Sequence, residues 1–408
     1  MSVEELLREL APVGRVRGGG YYRQPFTAAE SELRAWFAEA ARARRLVLEA
    51  DIFGNLMAWW PVDSGPASAD RPGVLTGSHL DSVLDGGAYD GPLGVVSAFA
   101  ALDLLRERGF APARPLGVAA FVEEEGSRFG LACLGSRLAT GAVGWARARE
   151  LRDADGVFLP DAMESAGLHP EEPTTSPEQI GAELRARLAC YVELHVEQGR
   201  DLVHRDAAVG LGSGIWPHGR YRFEFAGEAN HAGTTRMEDR HDPMLTYAMT
   251  ALAANKQARL VGARATFGRI EVTPNGTNAV PSRVTGWLDA RAADADALAR
   301  LVAGVERQAR ERADRDGTAM TVTPESVSGE VAFDAELAAR IGTGRDWPLI
   351  PTAAGHDAGI LSGAGIPSAM LFVRNPTGVS HSPAEHAELA DCQLGVQALA
   401  DTLERLAS

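Results

Sequence analysis

The segment 74–90, VLTGSHLDSVLDGGAYD, constrains this chain more than any other part of its sequence. An apolar, β-prone run leads into His79, Asp81 follows two residues later, and a glycine-rich loop then delivers Asp90. Imidazole and carboxylate groups at the end of a strand are typical ligands of a metal ion. Histidine and aspartate are also common turn and capping residues, so this segment alone leaves both interpretations open.

A second apolar run, 115–122, ends in three consecutive glutamates, Glu123, Glu124 and Glu125. Adjacent carboxylates repel one another and lose hydration if they are gathered near a core, so they need either a cation or solvent. A solvated loop would also meet that need. Two such clusters at the ends of similar strands nevertheless indicate a hydrolase that holds two metal ions.

The size and charge of the chain limit its organisation and its partners. At 408 residues it exceeds the usual size of one domain, so we expect two domains. The 40 basic and 55 acidic residues give a net charge of −15. This balance argues against nucleic acid and against anionic membrane surfaces as partners.

We expect a cytoplasmic protein. The three cysteines, Cys133, Cys190 and Cys392, are isolated, which fits a reducing compartment and neither a disulfide framework nor a cysteine-ligated zinc. The acidic N-terminal segment lacks the apolar stretch of a signal peptide. No run approaches the roughly 20 apolar residues of a membrane helix.

Helix-like and strand-like patterns alternate in the first half of the chain and resume near its end. This alternation predicts the α/β class, with a mainly parallel sheet covered by helices on both faces. Such sheets carry functional groups at the carboxyl ends of their strands. The predicted strands are 74–79, 116–122, 190–195 and 367–373, and the predicted helices are 27–47, 92–108, one running through Glu197 and Gln198, 355–362, and one that closes the chain.

The pattern changes between residues 213 and 327. There the predicted order is strand 220–226, helix 243–260, strands 266–272 and 283–291, helix 295–312 and strand 319–322. This βαββαβ order is typical of the ferredoxin-like fold. The chain therefore divides into a first catalytic part, 1–212, an inserted lid or dimerisation domain, 213–327, and a second catalytic part, 328–408.

Several other polar residues are candidates for the site in the first and last parts of the chain. His195 stands at a predicted strand end. His381 lies in a loop rich in Gly, Pro and Ser and is followed by Glu385 and His386, where the local chemistry fits either a metal ligand or a loop contact. No partner pattern accompanies the remaining histidines of this kind, which we assign to the surface or the core: His169, His204 and His218.

The inserted domain carries three more candidates. His231 stands in a glycine-flanked turn, Asn278 lies in the segment PNGTNAVPS, and Arg291 ends the segment LDAR. An arginine at such a position is usually solvated. A guanidinium is also the natural bidentate clamp for the carboxylate of a substrate.

With these segments in view, the chain resembles the family of allantoate amidohydrolases, N-carbamoyl-L-amino acid hydrolases and β-ureidopropionases. This family is a branch of the di-metal aminoacylase-like and carboxypeptidase-like exopeptidases. The resemblance runs from about residue 10 to residue 400. The segments that carry it are GSHLDSV, DGPLG, EEEGSRFG, ELHVEQG, NHAGTT, PNGTNAVPSRV, LDAR, GHDAG and SHSPAE.

The resemblance implies a role for each matching residue of the catalytic parts. His79 and His195 match terminal ligands of two different metal ions, and Asp90 matches the carboxylate that bridges the ions. Two matches complete the ligand set, Glu125 and His381. Two further matches act in catalysis: Glu124 as the general base and Asp81 as its supporting aspartate. The glutamates that directly precede Gly-Ser-Arg-Phe are Glu124 and Glu125, which excludes Glu123 from both roles.

The resemblance also implies a homodimer formed through the inserted domain. His231, Asn278 and Arg291 would then complete the active site of the facing subunit, with His231 stabilising the oxyanion and the other two holding the carboxylate of the substrate. Gln198 is a further candidate for a substrate contact.

The expected activity is hydrolysis of a carbamoyl or ureido C–N bond in a small carboxylate, either allantoate or an N-carbamoyl-L-amino acid. Attack would come from a water held between two divalent metal ions, zinc or manganese in the first place and cobalt or nickel as alternatives. Three alternatives stay open at this point. They are an N-formyl or N-acyl amino acid deacylase, a metallo-dipeptidase or exopeptidase on the same site, and a binding protein without catalysis.

Overall fold

The computed structural model describes residues 1–62, 71–170 and 172–408. These residues form two compact units. The first unit comprises Met1–Gly214 and Ala332–Ser408, and the second comprises Ile215–Val331. The inserted unit therefore begins two residues later and ends four residues later than the segment 213–327 that the sequence suggests.

The first unit alternates helices and strands. Its strands are β1 (Val47–Ala50), β2 (Leu56–Trp60), β3 (Gly73–His79), β4 (Leu116–Phe121), β5 (Leu188–Val196), β6 (Val209–Ile215), β13 (Val331–Ala332), β14 (Leu349–Thr352) and β15 (Ser368–Val373). Its helices are α1 (Val3–Leu10), α2 (Ala28–Ala43), α3 (Pro92–Glu107), α4 (Leu134–Ala139), α5 (Trp145–Ala148), α6 (Leu159–Ser165), α7 (Pro177–Arg187), α8 (Asp201–His204), α11 (Ala335–Gly342), α12 (Asp357–Gly363) and α13 (Leu389–Ala407).

One sheet organises this unit, in the order β1-β2-β4-β3-β5-β15-β6-β13, with β14 paired to β6. The four central strands, β4, β3, β5 and β15, are parallel to their neighbours within this group. The pairs β1–β2, β2–β4 and β15–β6 are antiparallel. The sheet is thus parallel where the predicted functional groups lie and antiparallel towards its margins.

Both faces of the sheet centre are covered. Every residue of β3, β4 and β15 is buried, and successive residues of a strand point to opposite faces. Fully buried strands of this kind are typical of a parallel sheet between two layers. The predicted α/β class with a mainly parallel sheet is confirmed. No helix in the described ranges is both long and apolar enough to span a bilayer.

Two local predictions are wrong. Glu197 and Gln198 do not lie within a helix, because the chain turns after β5 and the Glu197 carboxylate accepts hydrogen bonds from the backbone of Asp201 and Leu202 at 2.6 and 3.0 Å. The predicted helix 27–47 extends too far, because α2 ends at Ala43 and strand β1 begins at Val47.

The inserted unit has the predicted βαββαβ order. Its main elements are β7 (His218–Ala226), α9 (Pro243–Leu260), β9 (Arg264–Thr273), β11 (Arg283–Arg291), α10 (Ala295–Asp316) and β12 (Ala319–Ser328). A small hairpin, β8 (Asn230–His231) and β10 (Ala279–Val280), is added to them. The four strands of this sheet have the order β12-β7-β11-β9, and all three neighbouring pairs are antiparallel. This arrangement is that of a ferredoxin-like fold.

Helix α9 presents an unusual face to solvent. The residues it buries against its own unit are small or polar, among them Thr246, Thr250 and Ala254. The apolar residues Leu245, Met249 and Leu252, which recur at helical spacing, are exposed. The apolar pattern that predicts the helix thus lies on its outer side.

Candidate active site

The carboxyl ends of adjacent parallel strands bring the predicted groups of the first unit together. His79 is the last residue of β3, the three glutamates follow β4, and His195 is the penultimate residue of β5. Because β4, β3 and β5 are neighbours in the sheet, these ends meet at one edge. Asp90 comes from the loop between β3 and α3, and His381 from the loop after β15.

Asp90 lies at the centre of this arrangement. Its Oδ1 is 3.7 Å from Nε2 of His79 and 3.2 Å from Nε2 of His195, and its Oδ2 is 3.5 Å from Nε2 of His381. His79, Asp90 and His195 therefore form one group that could hold a cation. This grouping corrects the expectation that His79 and His195 serve two different ions, since both imidazoles face the same oxygen.

A second group shares Asp90 with the first. It consists of Asp90, Glu125 and His381, whose candidate ligand atoms all lie within 4.8 Å of one another. Glu125 and His381 are 3.3 Å apart through Oε2 and Nε2. Asp90 is thus placed where a bridging carboxylate would have to be, with one oxygen on each group.

Asp81 connects the first histidine to the glutamate loop. Its Oδ1 is 3.4 Å from Nδ1 of His79, the ring nitrogen that faces away from Asp90. The same carboxylate accepts hydrogen bonds from the backbone N–H groups of Glu124 and Glu125 at 3.2 and 3.1 Å. One buried side chain therefore fixes the orientation of an imidazole and the position of two carboxylates.

The three glutamates have different environments. Glu123 has a left-handed backbone (φ 55°), and its Oε1 accepts hydrogen bonds from the backbone of Arg128 and Phe129 at 3.0 and 2.6 Å, so it organises its own loop. The Glu124 carboxylate is 3.6 Å from Nε2 of His79, and its other oxygen contacts Sγ of Cys133 at 3.4 Å. Glu124 belongs to neither of the two candidate ligand groups.

The electrostatics of the site are governed by burial and by mutual proximity. Burial raises the pKa of Glu124 well above its usual value, and burial together with the charge of Asp90 raises the pKa of Glu125 to about 8. Burial would likewise raise the pKa of Asp90, but the neighbouring imidazoles of His195 and His79 outweigh that effect and hold the pKa well below the usual range. Burial disfavours charge on His79, yet Glu124 and the two aspartates raise its pKa well above normal.

The residues present fit a divalent metal centre. Nε2 of His79 and Nε2 of His195 are buried and have no hydrogen-bond partner among the described residues. Imidazole nitrogens and carboxylate oxygens are the donor set of zinc, manganese and related ions. A cation would satisfy the two nitrogens and would offset the repulsion among Asp90, Glu124 and Glu125.

Three residues that support Asp90 were not recognised in this role from the sequence. Gln198 and Ser380 both donate to its Oδ2 at 2.7 Å, so the amide nitrogen of Gln198 is engaged with Asp90. Glu385 accepts hydrogen bonds from the backbone N–H groups of Tyr89 and Asp90 at 2.8 and 3.1 Å. Glu385 is thus a loop contact, which resolves the ambiguity that its sequence context left.

Two glycines make the Asp90 loop possible. A Cβ on Gly87 would lie 1.9 Å from Oε2 of Glu385, and a Cβ on Gly91 would lie 2.4 Å from Cε1 of His79. Gly91 also has a φ of 86°, a conformation that favours glycine. Among the other histidines of this unit, His356 is buried beside His195, with ring centroids 4.6 Å apart. Three lie apart from the cluster: His169 and His204 are exposed, and His386 contacts Glu388 at 3.2 Å.

Within the inserted unit, the structure brings His231 and Asn278 together. His231 pairs with Ala279 in the β8–β10 hairpin, and the carbonyl of Asn278 accepts a hydrogen bond from the backbone of Ala232. The backbone N–H groups of Gly233 and Thr234 donate to Nδ1 of His231 at 3.0 and 3.2 Å. Because a backbone N–H can only donate, Nδ1 must be the acceptor, and the neutral imidazole then carries its proton on Nε2.

Arg291 lies elsewhere in this unit. Its Nε and Nη2 donate to the two oxygens of Asp289 at 2.7 and 3.0 Å, a bidentate pair. Arg291 ends β11, whereas the hairpin with His231 and Asn278 extends beyond Arg283 at the other end of that strand. Eight residue steps along a strand span about 27 Å, so Arg291 is well separated from the other two candidates.

Comparisons with known proteins agree with the resemblance that the sequence motifs suggest. A family model described as peptidase family M20/M25/M40 matches residues 75–405. The chain is 36% identical to an N-carbamoyl-L-amino acid amidohydrolase of Geobacillus stearothermophilus over 98% of this chain and 97% of that protein. It is 32% identical to an allantoate amidohydrolase of Escherichia coli K12, over 100% and 98%. The crystal structure of AtUAH in complex with glyoxylate superimposes with a TM-score of 0.87 at 26% identity and covers 99% of this chain and 97% of that one.

We predict that Glu385→Ala weakens metal binding although Glu385 belongs to neither ligand group. Removing the acceptor of two N–H groups frees the Asp90 loop, and loss of such a supporting contact typically lowers metal affinity about 10–100-fold. Competition with a chromogenic chelator measures the change. Glu388→Ala, an exposed position in the same segment, is the matched control and should leave affinity unchanged. Equal affinity in both folded variants would contradict the supporting role.

Proposed function

We propose a function on the premise that this chain belongs to peptidase family M20/M25/M40. It is a metal-dependent amidohydrolase that cleaves the carbamoyl or ureido C–N bond of a small carboxylate substrate. The observation that carries this proposal is the position of Glu124. Its buried carboxylate lies 3.6 Å from His79, beside two ligand groups that share Asp90, and it is a member of neither.

Members of the family use divalent metals, and the two groups around Asp90 would hold them here. The ligands we propose are His79 and His195 on one side, Glu125 and His381 on the other, and Asp90 between them. Divalent ions in these positions would polarise the scissile carbonyl and lower the pKa of water. The proposal favours zinc or manganese, because mixed imidazole and carboxylate ligands suit both.

Glu124 is the general base and then the general acid. Its carboxylate accepts a proton from the attacking water and returns it to the leaving nitrogen, a role that requires an oxygen not committed to a ligand bond. Asp81 acts as a positioning residue, because it holds the backbone of Glu124 and the ring of His79 at the same time.

Three residues of the inserted unit would complete the site. His231 presents an Nε2–H donor, since its Nδ1 accepts two backbone hydrogen bonds, and we assign it to the developing oxyanion. Asn278 lies beside it in the same hairpin and supplies a further polar contact, while Arg291 binds the substrate carboxylate with its orientation fixed by Asp289.

The separation within the inserted unit revises how these groups are shared. In one copy, Arg291 lies about 27 Å along β11 from Arg283, the end at which the hairpin with His231 lies. This separation is too large for one small substrate to touch both His231 and Arg291. An active site that uses both must therefore take them from two copies. We propose that His231 and Asn278 come from the partner subunit of a homodimer, and that Arg291 acts in the site of its own chain.

The surface of the inserted unit supports a dimer. Leu245, Met249 and Leu252 form an exposed apolar stripe on α9, and Ile270 of the neighbouring strand β9 is exposed as well. Strand β9 is an edge of the four-stranded sheet and leaves one row of backbone groups unpaired. Two copies that pair these edges symmetrically would bury the stripe and extend the sheet.

The proposed substrate is an N-carbamoyl-L-amino acid or allantoate. The curated relatives named above act on N-carbamoyl-L-amino acids and allantoate, and we propose that this chain acts on one of the two. An N-formyl or N-acyl amino acid deacylase, or a dipeptidase, is the alternative on the same site. A reducing compartment such as the cytoplasm fits the three free, buried cysteines.

A substrate panel tests the proposed activity. Allantoate, N-carbamoyl, N-formyl and N-acetyl amino acids and dipeptides are assayed after chelation and reloading with zinc, manganese, cobalt or nickel. We expect metal-dependent release of ammonia from allantoate or from a carbamoyl amino acid at the highest kcat/KM. Preference for dipeptides or acyl amino acids under every metal would assign the site to the alternative class.

We predict that Glu124→Gln lowers kcat by at least about a hundredfold while metal content and fold are retained, because the amide cannot accept the proton of the attacking water. Metal analysis and steady-state kinetics check this result. Glu123→Gln is the matched control, since Glu123 binds backbone N–H groups of its own loop, and it should keep activity within about tenfold. The reverse pattern would assign the base to Glu123.

We predict that inactive Glu124→Gln and inactive His231→Ala subunits restore activity when they are mixed. If His231 acts in the facing site, each hybrid dimer has one intact site. Random exchange then gives about a quarter of wild-type activity. Mass spectrometry of tagged subunits verifies the exchange. Hybrids without activity would show that His231 acts within its own chain.

The same exchange with Arg291→Ala separates the two assignments. If Arg291 serves the site of its own chain, mixing it with Glu124→Gln subunits restores nothing, because each hybrid site lacks either the base or the arginine. Recovery in this second mixture would contradict the proposed division between the two copies.

A further inference from the structure

Arg23 is a buried cation without a carboxylate partner. Its side chain is 1% exposed, and no carboxylate among the described residues forms an ion pair with it. Nε donates to the carbonyl of Val13 at 3.0 Å and Nη2 to that of Leu10 at 2.8 Å. Nη1 is buried and has no hydrogen-bond partner among the described residues. A buried guanidinium that lacks both an anion and a full set of acceptors carries an uncompensated desolvation cost.

The same residue lines a cavity. The cavity has a volume of about 360 Å³, which lies in the range of small-molecule sites. Most of its wall is apolar or aromatic and comes from Leu7, Leu10, Tyr21, Tyr89 and Leu389.

The charges around the cavity favour an anion. Glu4 and Arg8 line it and are paired with each other at 2.6 Å, so their charges largely cancel. The guanidinium of Arg23 lies over the ring of Tyr21, 4.1 Å from its centroid. Burial lowers the pKa of Arg23 to about 10, which leaves the side chain charged at neutral pH.

We propose that this cavity is a binding site for a small organic carboxylate with an apolar side chain. The carboxylate accepts a hydrogen bond from the guanidinium of Arg23, and the apolar part packs against Leu7, Tyr89 and Leu389. A charge-assisted hydrogen bond in a largely apolar surrounding is the type of contact that selects an anion over its neutral isostere.

The cavity shares a wall with the segment that carries the active-site aspartate. Tyr89 lines the cavity and directly precedes Asp90. The backbone of Arg23 also pairs with Ser82, which follows Asp81: Ser82 Oγ accepts from the Arg23 N–H at 3.0 Å. None of the candidate metal ligands lines the cavity, so it is a site separate from the one that Asp90 organises.

Calorimetric titration of the metal-loaded enzyme tests the proposal, with 3-phenylpropanoate and its neutral amide as probes. Arg23 also holds the end of α1, so its replacement could unfold the protein, and the cavity is filled instead by Leu7→Trp. Leu394→Trp, an exposed position outside this cavity, is the matched control. Unchanged hydrolytic activity of both variants verifies the fold.

We expect one binding event that wild type and Leu394→Trp share and Leu7→Trp lacks, and binding of the amide at least about tenfold weaker. A crystal soaked with 3-(4-bromophenyl)propanoate should place the bromine in the cavity and the carboxylate against Arg23. Identical isotherms for all three proteins, equal affinity for the amide, or bromine at the active site alone would overturn the proposal.

Discussion

The buried carboxylate of Asp90 is the constraint on which the site depends. A carboxylate taken out of water costs several kcal/mol unless its charge is compensated, and five polar side chains around Asp90 provide that compensation. Two imidazoles face one oxygen, and a third imidazole, an amide and a hydroxyl face the other. The two candidate ligand groups are therefore unequal. One offers His79 and His195, and the other offers His381 and the negative charge of Glu125.

The sequence predicts the positions of these groups along the chain better than their pairing in space. Apolar runs that end in His79, in the glutamates and in His195 identify strand ends, and parallel strands bring such ends to one edge. Which oxygen of Asp90 each imidazole meets depends on loop geometry that no periodicity encodes. The sequence also does not predict that Glu385 supports the Asp90 loop, because the N–H groups that donate to Glu385 lie 296 and 295 residues earlier in the chain.

In the inserted unit, the sequence predicts the helices and strands but not which of their faces are buried. Periodicity predicts α9 and β11 with their observed bounds, but a periodic apolar face does not reveal what covers it. The stripe through Leu245 and Leu252 points outward, where a sequence argument alone would place it in a core. The contact between Asp289 and Arg291 can be predicted from the sequence, since residues two apart on a strand share a face.

The position of Arg291 gives the proposed dimer a chemical reason. The proposed base and metal ligands lie around Asp90, whereas the proposed oxyanion donor, His231, and the proposed carboxylate clamp, Arg291, lie towards opposite ends of β11 in the inserted unit. A small substrate cannot reach both in one copy, so a site that uses both depends on a second subunit. In that arrangement the exposed stripe on α9 serves more than stability, because loss of the dimer would remove His231 from the reaction while the metal ligands stayed intact.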